Sequence, residues 1–373
     1  MGFAVQFPLD SQGPLRGEHA LGYTRWDPAG ALEARDPRES LCSLLTGWWP
    51  PGPGTKGPMT AHARPLAFKE ISKEQDWNLP QVRALASAYR CGRLCLIVGA
   101  GVSKGCGLPV WSELNRRLLR RALEGLYEAV GPEEAPLHAR DIEATLADRV
   151  RPMVGRYLKA KLGARYLDEV RAALYEGPVR LSRTVRAVLD LDNLYAVLTA
   201  NFDDLLETFA RELGVDGRYQ AVFSAPISLQ PGRIPIYHTH GYLPADRHAA
   251  HSEGLILSED DYHGLLHQGY HWTDHVALQL LARSTCLLVG TSGEDPNLRR
   301  LMDLARGLAT PFRHYILLKP PAPLPRDARS AIRYSASRRA VWDAFDHLGL
   351  EVLWIHNYDR DITGILKRIG ERG

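Results

Sequence analysis

Four short segments carry residue types suited to handling a nucleotide. The first is Gly99-Ala100-Gly101-Val102-Ser103-Lys104-Gly105, directly after an apolar run. Glycines there let the backbone approach a ligand closely, and free N–H groups can cradle a pyrophosphate. The spacing is not the fingerprint G-x-G-x-x-G, because the third Gly comes one residue late. Nor is it a P-loop, since no Gly-Lys-Ser/Thr follows. A tight strand-to-loop turn without a ligand would have the same composition. The second segment is Thr199-Ala200-Asn201-Phe202-Asp203-Asp204. Asn201 offers both a donor and an acceptor, whereas Asp203 or Asp204 can simply cap a following helix. The third is Tyr237-His238-Thr239-His240-Gly241-Tyr242-Leu243-Pro244. A histidine at a strand end can act as a general base near neutral pH. His238 and His240, two residues apart on a strand, would point the same way, a geometry also open to a metal. No carboxylate or third histidine lies nearby with ligand spacing, so no metal is expected. The fourth is Val289-Gly290-Thr291-Ser292-Gly293-Glu294-Asp295-Pro296-Asn297. Asp295 as N-cap with Pro296 at the first helical position needs no ligand. The amides and hydroxyls of Gly290, Thr291 and Ser292 remain candidates for a ribose or phosphate.

Each segment must be held by regular structure. Leu94 to Val98 is a continuous apolar run ended by Gly99, the pattern of a strand buried on both faces. Further strands are expected at Leu194 to Leu198, Ile234 to His238, Leu255 to Leu257, Cys286 to Val289, Tyr315 to Leu318 and Val352 to Ile355. Helical patterns cover Leu79 to Tyr89, Trp111 to Tyr127 and, punctuated by Pro152 and Gly163, roughly Asp141 to Leu189. Others fit at Asp203 to Leu213, Asp274 to Ala282, Pro296 to Leu308, Ala328 to Leu348 and Asp361 to Ile369. Buried strands alternating with helices imply an α/β fold: a Rossmann-like parallel sheet with helices on both faces. The helical stretch 111–189 reads as a subdomain inserted between the first two strands. All four segments then fall at carboxyl ends of strands, where open parallel sheets bind ligands.

The chain has 373 residues, enough for one large domain or two small ones. Hydrophobic residues make up 45% and charged residues 24%, which excludes collagen-like and disordered classes. A net charge of +3 is weak for a chain built to bind nucleic acid. Five cysteines without paired CxxC motifs read as reduced thiols of a cytoplasmic protein. The longest apolar run is far short of the roughly 20 residues of a membrane span, and no signal peptide is evident. Residues 1–58, crowded with Gly and Pro, read as a poorly ordered tail or a mis-annotated start ahead of Met59. The domain proper is then 59–373. His263, His267, His271 and His275 recur every four residues, but Gly264 and Gly269 argue against one continuous helix that would stack them.

The order of the motifs resembles the sirtuin family. The marks are Gly99-Ala100-Gly101-Val102-Ser103, Gly107-Leu108-Pro109, Asn201-Phe202-Asp203, His240-Gly241 and Gly290-Thr291-Ser292, spread over roughly residues 90–370. The chain departs from protein-deacylating sirtuins. After the His-Gly segment it has one cysteine, Cys286, where they carry two zinc-binding CxxC pairs. Trp111 stands where they place Phe in an Asp-Phe-Arg segment. Leu257-Ser258-Glu259-Asp260-Asp261-Tyr262 and Asp295-Pro296-Asn297-Leu298 look instead like the bacterial sirtuin-like branch of antiphage systems.

That resemblance implies an NAD glycohydrolase. NAD would be the substrate, cleaved to nicotinamide and ADP-ribose, and its depletion would serve defence as abortive infection. It also implies a homo-oligomer, or an effector partner such as a HerA-type ATPase, without membrane or direct nucleic-acid binding. Gly99, Ala100, Gly101, Ser103, Pro109, Trp111, Gly290, Thr291 and Ser292 would bind NAD. Asn201 would orient the nicotinamide ribose and an attacking water, His240 would accept a proton, and Asp203 would fix the Asn201 loop. An NAD-dependent deacylase and a non-catalytic nucleotide-binding subunit are the rival readings. The first lacks the zinc module; the second leaves both Asn201 and His240 without a use.

Overall fold

The computed structural model describes residues 80–130, 151–252, 254–267, 271–308, 310–321 and 328–371. The Gly/Pro-rich segment, Met59 and the expected helix start at Leu79 lie outside these. Leu94-Cys95-Leu96-Ile97-Val98 is buried at every position and forms β1 (Leu94–Val98). Its neighbours are β2 (Ala196–Thr199) on one side and β5 (Thr285–Val289) on the other, both parallel to it. Beyond β2 lie β4 (Ile234–His238) and then β3 (Tyr219–Val222); beyond β5 lie β6 (His314–Leu318) and β7 (Leu350–Trp354). The seven-stranded order is β3-β4-β2-β1-β5-β6-β7, with every pairing parallel.

Alternate residues of β1 enter different cores, as the two-residue strand period requires. Leu94, Leu96 and Val98 join a cluster with Val82 and Leu85 of α1 (Pro80–Arg90). The same cluster takes in Val185 and Val188 of α6 (Arg183–Leu189), Phe209 of α7 (Leu205–Glu212) and Ile365 of α12 (Tyr358–Gly370). Cys95 and Ile97 face Leu280 of α9 (Trp272–Arg283), Met302 of α10 (Pro296–Arg306) and Phe345 of α11 (Ala328–Asp346). Helices therefore cover both faces, as the apolar strands demand. Between β1 and β2 run α2 (Ala100–Lys104), α3 (Trp111–Val130), α4 (Arg151–Leu162), α5 (Tyr166–Leu174) and α6. A helix α8 (Glu259–His267) precedes α9.

Two expectations are corrected. Leu255 to Leu257 is not a strand: the amides of Leu257 and Ser258 both donate to the Asp261 carboxylate, at 3.2 and 2.8 Å, so the backbone turns into α8 instead of pairing with the sheet. The edge strand β3 was not expected, because Tyr-Gln-Ala-Val is short and half-polar. The four-residue histidine spacing is split between α8 and α9, with His271 at the N-cap position of the latter.

Candidate functional site

Asn201 is clamped from both ends. Its side-chain Nδ2 donates to Ser103 Oγ at 2.9 Å, and Ser103 Oγ donates in turn to Asp203 Oδ2 at 2.8 Å. The single hydroxyl hydrogen of Ser103 goes to the carboxylate, so Ser103 can only accept from Asn201. That orients the carboxamide through its Nδ2 and commits none of the acceptor capacity of Asn201 Oδ1 to Ser103. The backbone amide of Asn201 donates to Thr199 Oγ1 at 3.0 Å, and Thr199 donates to the carbonyl of Val98 at 2.9 Å, which ties the loop to the ends of β1 and β2. Asp203 is buried, and desolvation pushes its carboxyl up to about 6 against the hydrogen bonds from Ser103 and Leu205. Asp203 is thus linked to the Asn201 side chain through Ser103, while Tyr175 donates to Asp204 at 2.8 Å.

The two histidines do not point the same way. His238, still in β4, lies 3.3 Å by Nδ1 from the carbonyl of Asn201 and 2.8 Å by Nε2 from Glu207 Oε1. Burial favours its neutral form, but the Glu207 carboxylate and these bonds prevail and raise its pKa. His240, beyond the strand end, reaches Asp295 Oδ2 with Nε2 at 2.9 Å and Thr239 Oγ1 with Nδ1 at 3.2 Å. Tyr262 donates to the same Asp295 oxygen at 2.7 Å. Asp295 keeps its capping role as well, accepting from the Leu298 amide at 2.7 Å through Oδ1. Its carboxyl is drawn down to about 2, chiefly by the His240 ring, against the cost of burial. The geometric premise for a shared metal at His238 and His240 is therefore absent. No group of three or more metal-ligating side chains occurs among the described residues.

The glycine segment is built differently from the expected loop. Residues from Ala100 to Lys104 form the short helix α2, with Gly99 at its N-cap position. Gly99 donates its amide to the carbonyl of Val289 at 2.9 Å, and Gly101 donates to that of Gly290 at 2.7 Å. Those two amides are thereby committed within the protein and do not supply a phosphate cradle. A β-carbon on Gly101 would stand 2.7 Å from the Gly290 oxygen, so the close approach that requires glycine is between two protein loops. Thr291 Oγ1 accepts from the Gly293 amide, and Ser292 Oγ meets Glu294 at 3.2 Å. Pro109 is buried, and Trp111 packs on the core beside Phe202, ring centroids 6.4 Å apart, with its indole nitrogen buried and unpaired.

Ser103, Asn201, Asp203 and His238 line one enclosed cavity of about 10 Å³ with Val98 and Thr199. That is about one water molecule in size. A larger, open depression of about 630 Å³ runs along α10 past Glu294, Arg299, Arg300 and Asp303, and none of the expected site residues lines it. The structure brings Asn201, Asp203 and Ser103 together. Sequence reasoning missed Glu207 and the joining of Tyr262 and Asp295 to His240; the Asp-Pro cap concealed the second role of Asp295.

Residues 195–340 match the family model described as SIR2-like domain. Defense-associated sirtuin 2 of Bacillus subtilis is 23% identical over 280 residues, 74% of this chain and 26% of that protein, so the chain spans about a quarter of that relative's length. Two solved structures also align. One, described as a Sir2 homolog–NAD complex, covers 80% of this chain and 98% of its own at 13% identity and a TM-score of 0.39. The other, from work on the mechanism and regulation of Sir2 enzymes, covers 78% and 97% at 13% identity and a TM-score of 0.35. By the family match, residues 195–340, which include Asn201, His240 and the Gly290-Thr291-Ser292 loop, are similar to a SIR2-like domain.

Proposed function

We propose that the protein is an NAD glycohydrolase that cleaves NAD to nicotinamide and ADP-ribose in bacterial antiphage defence. The observation that carries this is the carboxamide of Asn201, tied by its Nδ2 to Ser103 and through it to Asp203, just past the carboxyl end of β2. Loss of nicotinamide builds oxocarbenium character at the anomeric carbon. An acceptor fixed in advance can hold the attacking water or a ribose hydroxyl without reorganising during the reaction. One water is consumed, its oxygen bonds to the anomeric carbon, and the proton it releases passes to His240 and then to solvent. The water-sized cavity cannot admit a dinucleotide, so NAD lies across the rim of the sheet. Neither the Gly99 nor the Gly101 amide contacts its phosphates. The remaining proposed contacts are Ala100, Trp111 and the Gly290-Thr291-Ser292 loop, with Ser103 acting through Asn201.

The setting is cytoplasmic, with activity controlled by self-assembly or by an effector such as a HerA-type ATPase, because an unrestrained NAD hydrolase would kill its own cell. Among the described residues no helix is long and apolar enough to cross a membrane. Purified protein incubated with NAD, with and without an acetylated peptide, tests the reading. Nicotinamide release that does not depend on the peptide is expected. Release only with peptide would make the protein a deacylase, and binding without release would make it a nucleotide-binding subunit.

A further inference from the structure

His240 follows β4 and Asp295 follows β5, and β2 and β1 stand between those strands in the sheet. The two segments therefore arch toward each other over the carboxyl ends of β2 and β1 to meet at 2.9 Å. The contact is well enclosed, with only 4% of the His240 side chain and 15% of the Asp295 side chain exposed. A second clasp is supplied by the segment entering α8, where the Ile256 amide donates to the His240 carbonyl at 2.8 Å.

Donor and acceptor counting fixes the ring. Tyr262 has one hydrogen and places it on Asp295 Oδ2, at 2.7 Å against 3.3 Å to His240 Nε2. An ionised carboxylate only accepts, so the hydrogen between Asp295 and His240 belongs to Nε2. We propose that Asp295 is a positioning residue for His240: it holds the imidazole as the Nε2–H tautomer and leaves the lone pair on Nδ1. Thr239 completes the arrangement. Its Oγ1 lies 3.2 Å from Nδ1 and 3.1 Å from the carbonyl of Thr199. With a neutral ring, the threonine hydroxyl donates to Nδ1. When Nδ1 takes a proton, the hydroxyl turns to Thr199 and its oxygen accepts the new N–H. Every polar group stays paired in both states, so the ring can gain or lose a proton without moving.

The kinetic side of this rests on the proposed hydrolase reading; the tautomer does not. Asparagine caps helices about as well as aspartate, so Asp295→Asn retains the bond to Leu298 while replacing the oxygen facing His240 by an N–H donor. Nitrogen-15 spectra of histidine-labelled full chain are expected to show His240 as Nε2–H in the wild type. Asp295→Asn is expected to convert it to Nδ1–H, with the melting temperature within about 3 °C. Nicotinamide release should fall by about 10²- to 10⁴-fold, the range of general acid–base catalysis, whose upper end matches the loss of about 10⁴ for a histidine in the wrong tautomer, with KM within about threefold. Tyr262→Phe should keep the tautomer and lose less than about tenfold in turnover. An Nδ1–H ring in the wild type, or Asp295→Asn with unchanged tautomer or turnover, overturns the proposal. Should the wild type release no nicotinamide, the hydrolase reading fails and the tautomer exchange alone decides the role of Asp295.

Discussion

Gly101 rests directly on Gly290: the amide of one donates to the carbonyl of the other at 2.7 Å, and an added β-carbon on Gly101 would stand 2.9 Å from the Gly290 Cα. Gly290 itself has a φ of +66°, and a β-carbon there would lie 2.6 Å from the Val102 amide nitrogen. Backbone cannot step aside as a flexible side chain can. Gly101→Ala is therefore expected to destabilise the fold by about 3 kcal/mol, the upper range for overpacking, and Gly101→Val by more. Urea unfolding measures this. A variant with wild-type stability but no NAD binding would restore the phosphate-contact reading of Gly101.

Asn201→Ala and His240→Ala should separate binding from chemistry. Neither side chain spans most of a dinucleotide, so NAD affinity should stay within about tenfold, roughly 1.4 kcal/mol. Turnover should fall at least about 10²-fold in each. Calorimetric binding and nicotinamide release on the same preparations check both numbers. Near wild-type hydrolysis by His240→Ala would make that ring structural.

Asp203 should leave a mark on the pH dependence of stability. Its carboxyl titrates near 6 in the folded chain, above the ordinary 3.8, because burial disfavours the charge. Between those values the native state binds more protons than the unfolded chain, so stability from this group falls as pH rises from about 4 to about 6. The full difference is about 3 kcal/mol. Asp203→Asn lacks the step, so its stability relative to the wild type should climb across that window and then level. A constant difference measured by chemical denaturation from pH 4 to 8 would contradict this.

A slope of the same sign, at higher pH, is expected from His238. Its raised pKa means that the charged ring, donating to both Glu207 and the Asn201 carbonyl, is stabilised by folding. That contribution is fully present below about 6.5 and is lost as pH rises through the elevated folded value. His238→Gln should thus differ most from the wild type in acid and converge toward it in alkali. Thermal melting between pH 6 and 9 tests the convergence.

Specific activity should rise with protein concentration or on adding an effector. Sedimentation and nicotinamide release measured on one dilution series would show the two rising together. Full specific activity in a demonstrably monomeric sample would remove assembly from the proposed control.

The fold was legible wherever burial is two-sided. Leu94 to Val98 and Cys286 to Val289 are unbroken apolar runs, and the structure forms strands at Leu94–Val98 and Thr285–Val289. Edges were harder. Tyr219–Val222 pairs on one side only and carries polar Gln220, so its pattern falls short of a buried strand. At the site, Asn201 and Asp203 stood out because they share one short loop. The partnership of Asp295 with His240 spans 55 positions. It was hidden because Asp-Pro already had a sufficient local explanation as a helix start. The commitment of the Gly99 and Gly101 amides was hidden for the reverse reason: the acceptors come from β5 and the loop after it, nearly 190 residues downstream.

The position of β1 also governs how the chain can be made. It is the first described strand in order, yet one of its two neighbours begins only at Thr285. During synthesis, Leu94 to Val98 must wait for close to two hundred further residues before its second edge is covered, and pairing over such separation is slow. Until then an apolar strand with unpaired amides is open to any other nascent copy, the usual route to aggregation. A fragment ending before Thr285 is accordingly expected to be insoluble without chaperones. Expression of the complete chain should gain from slow, cool induction.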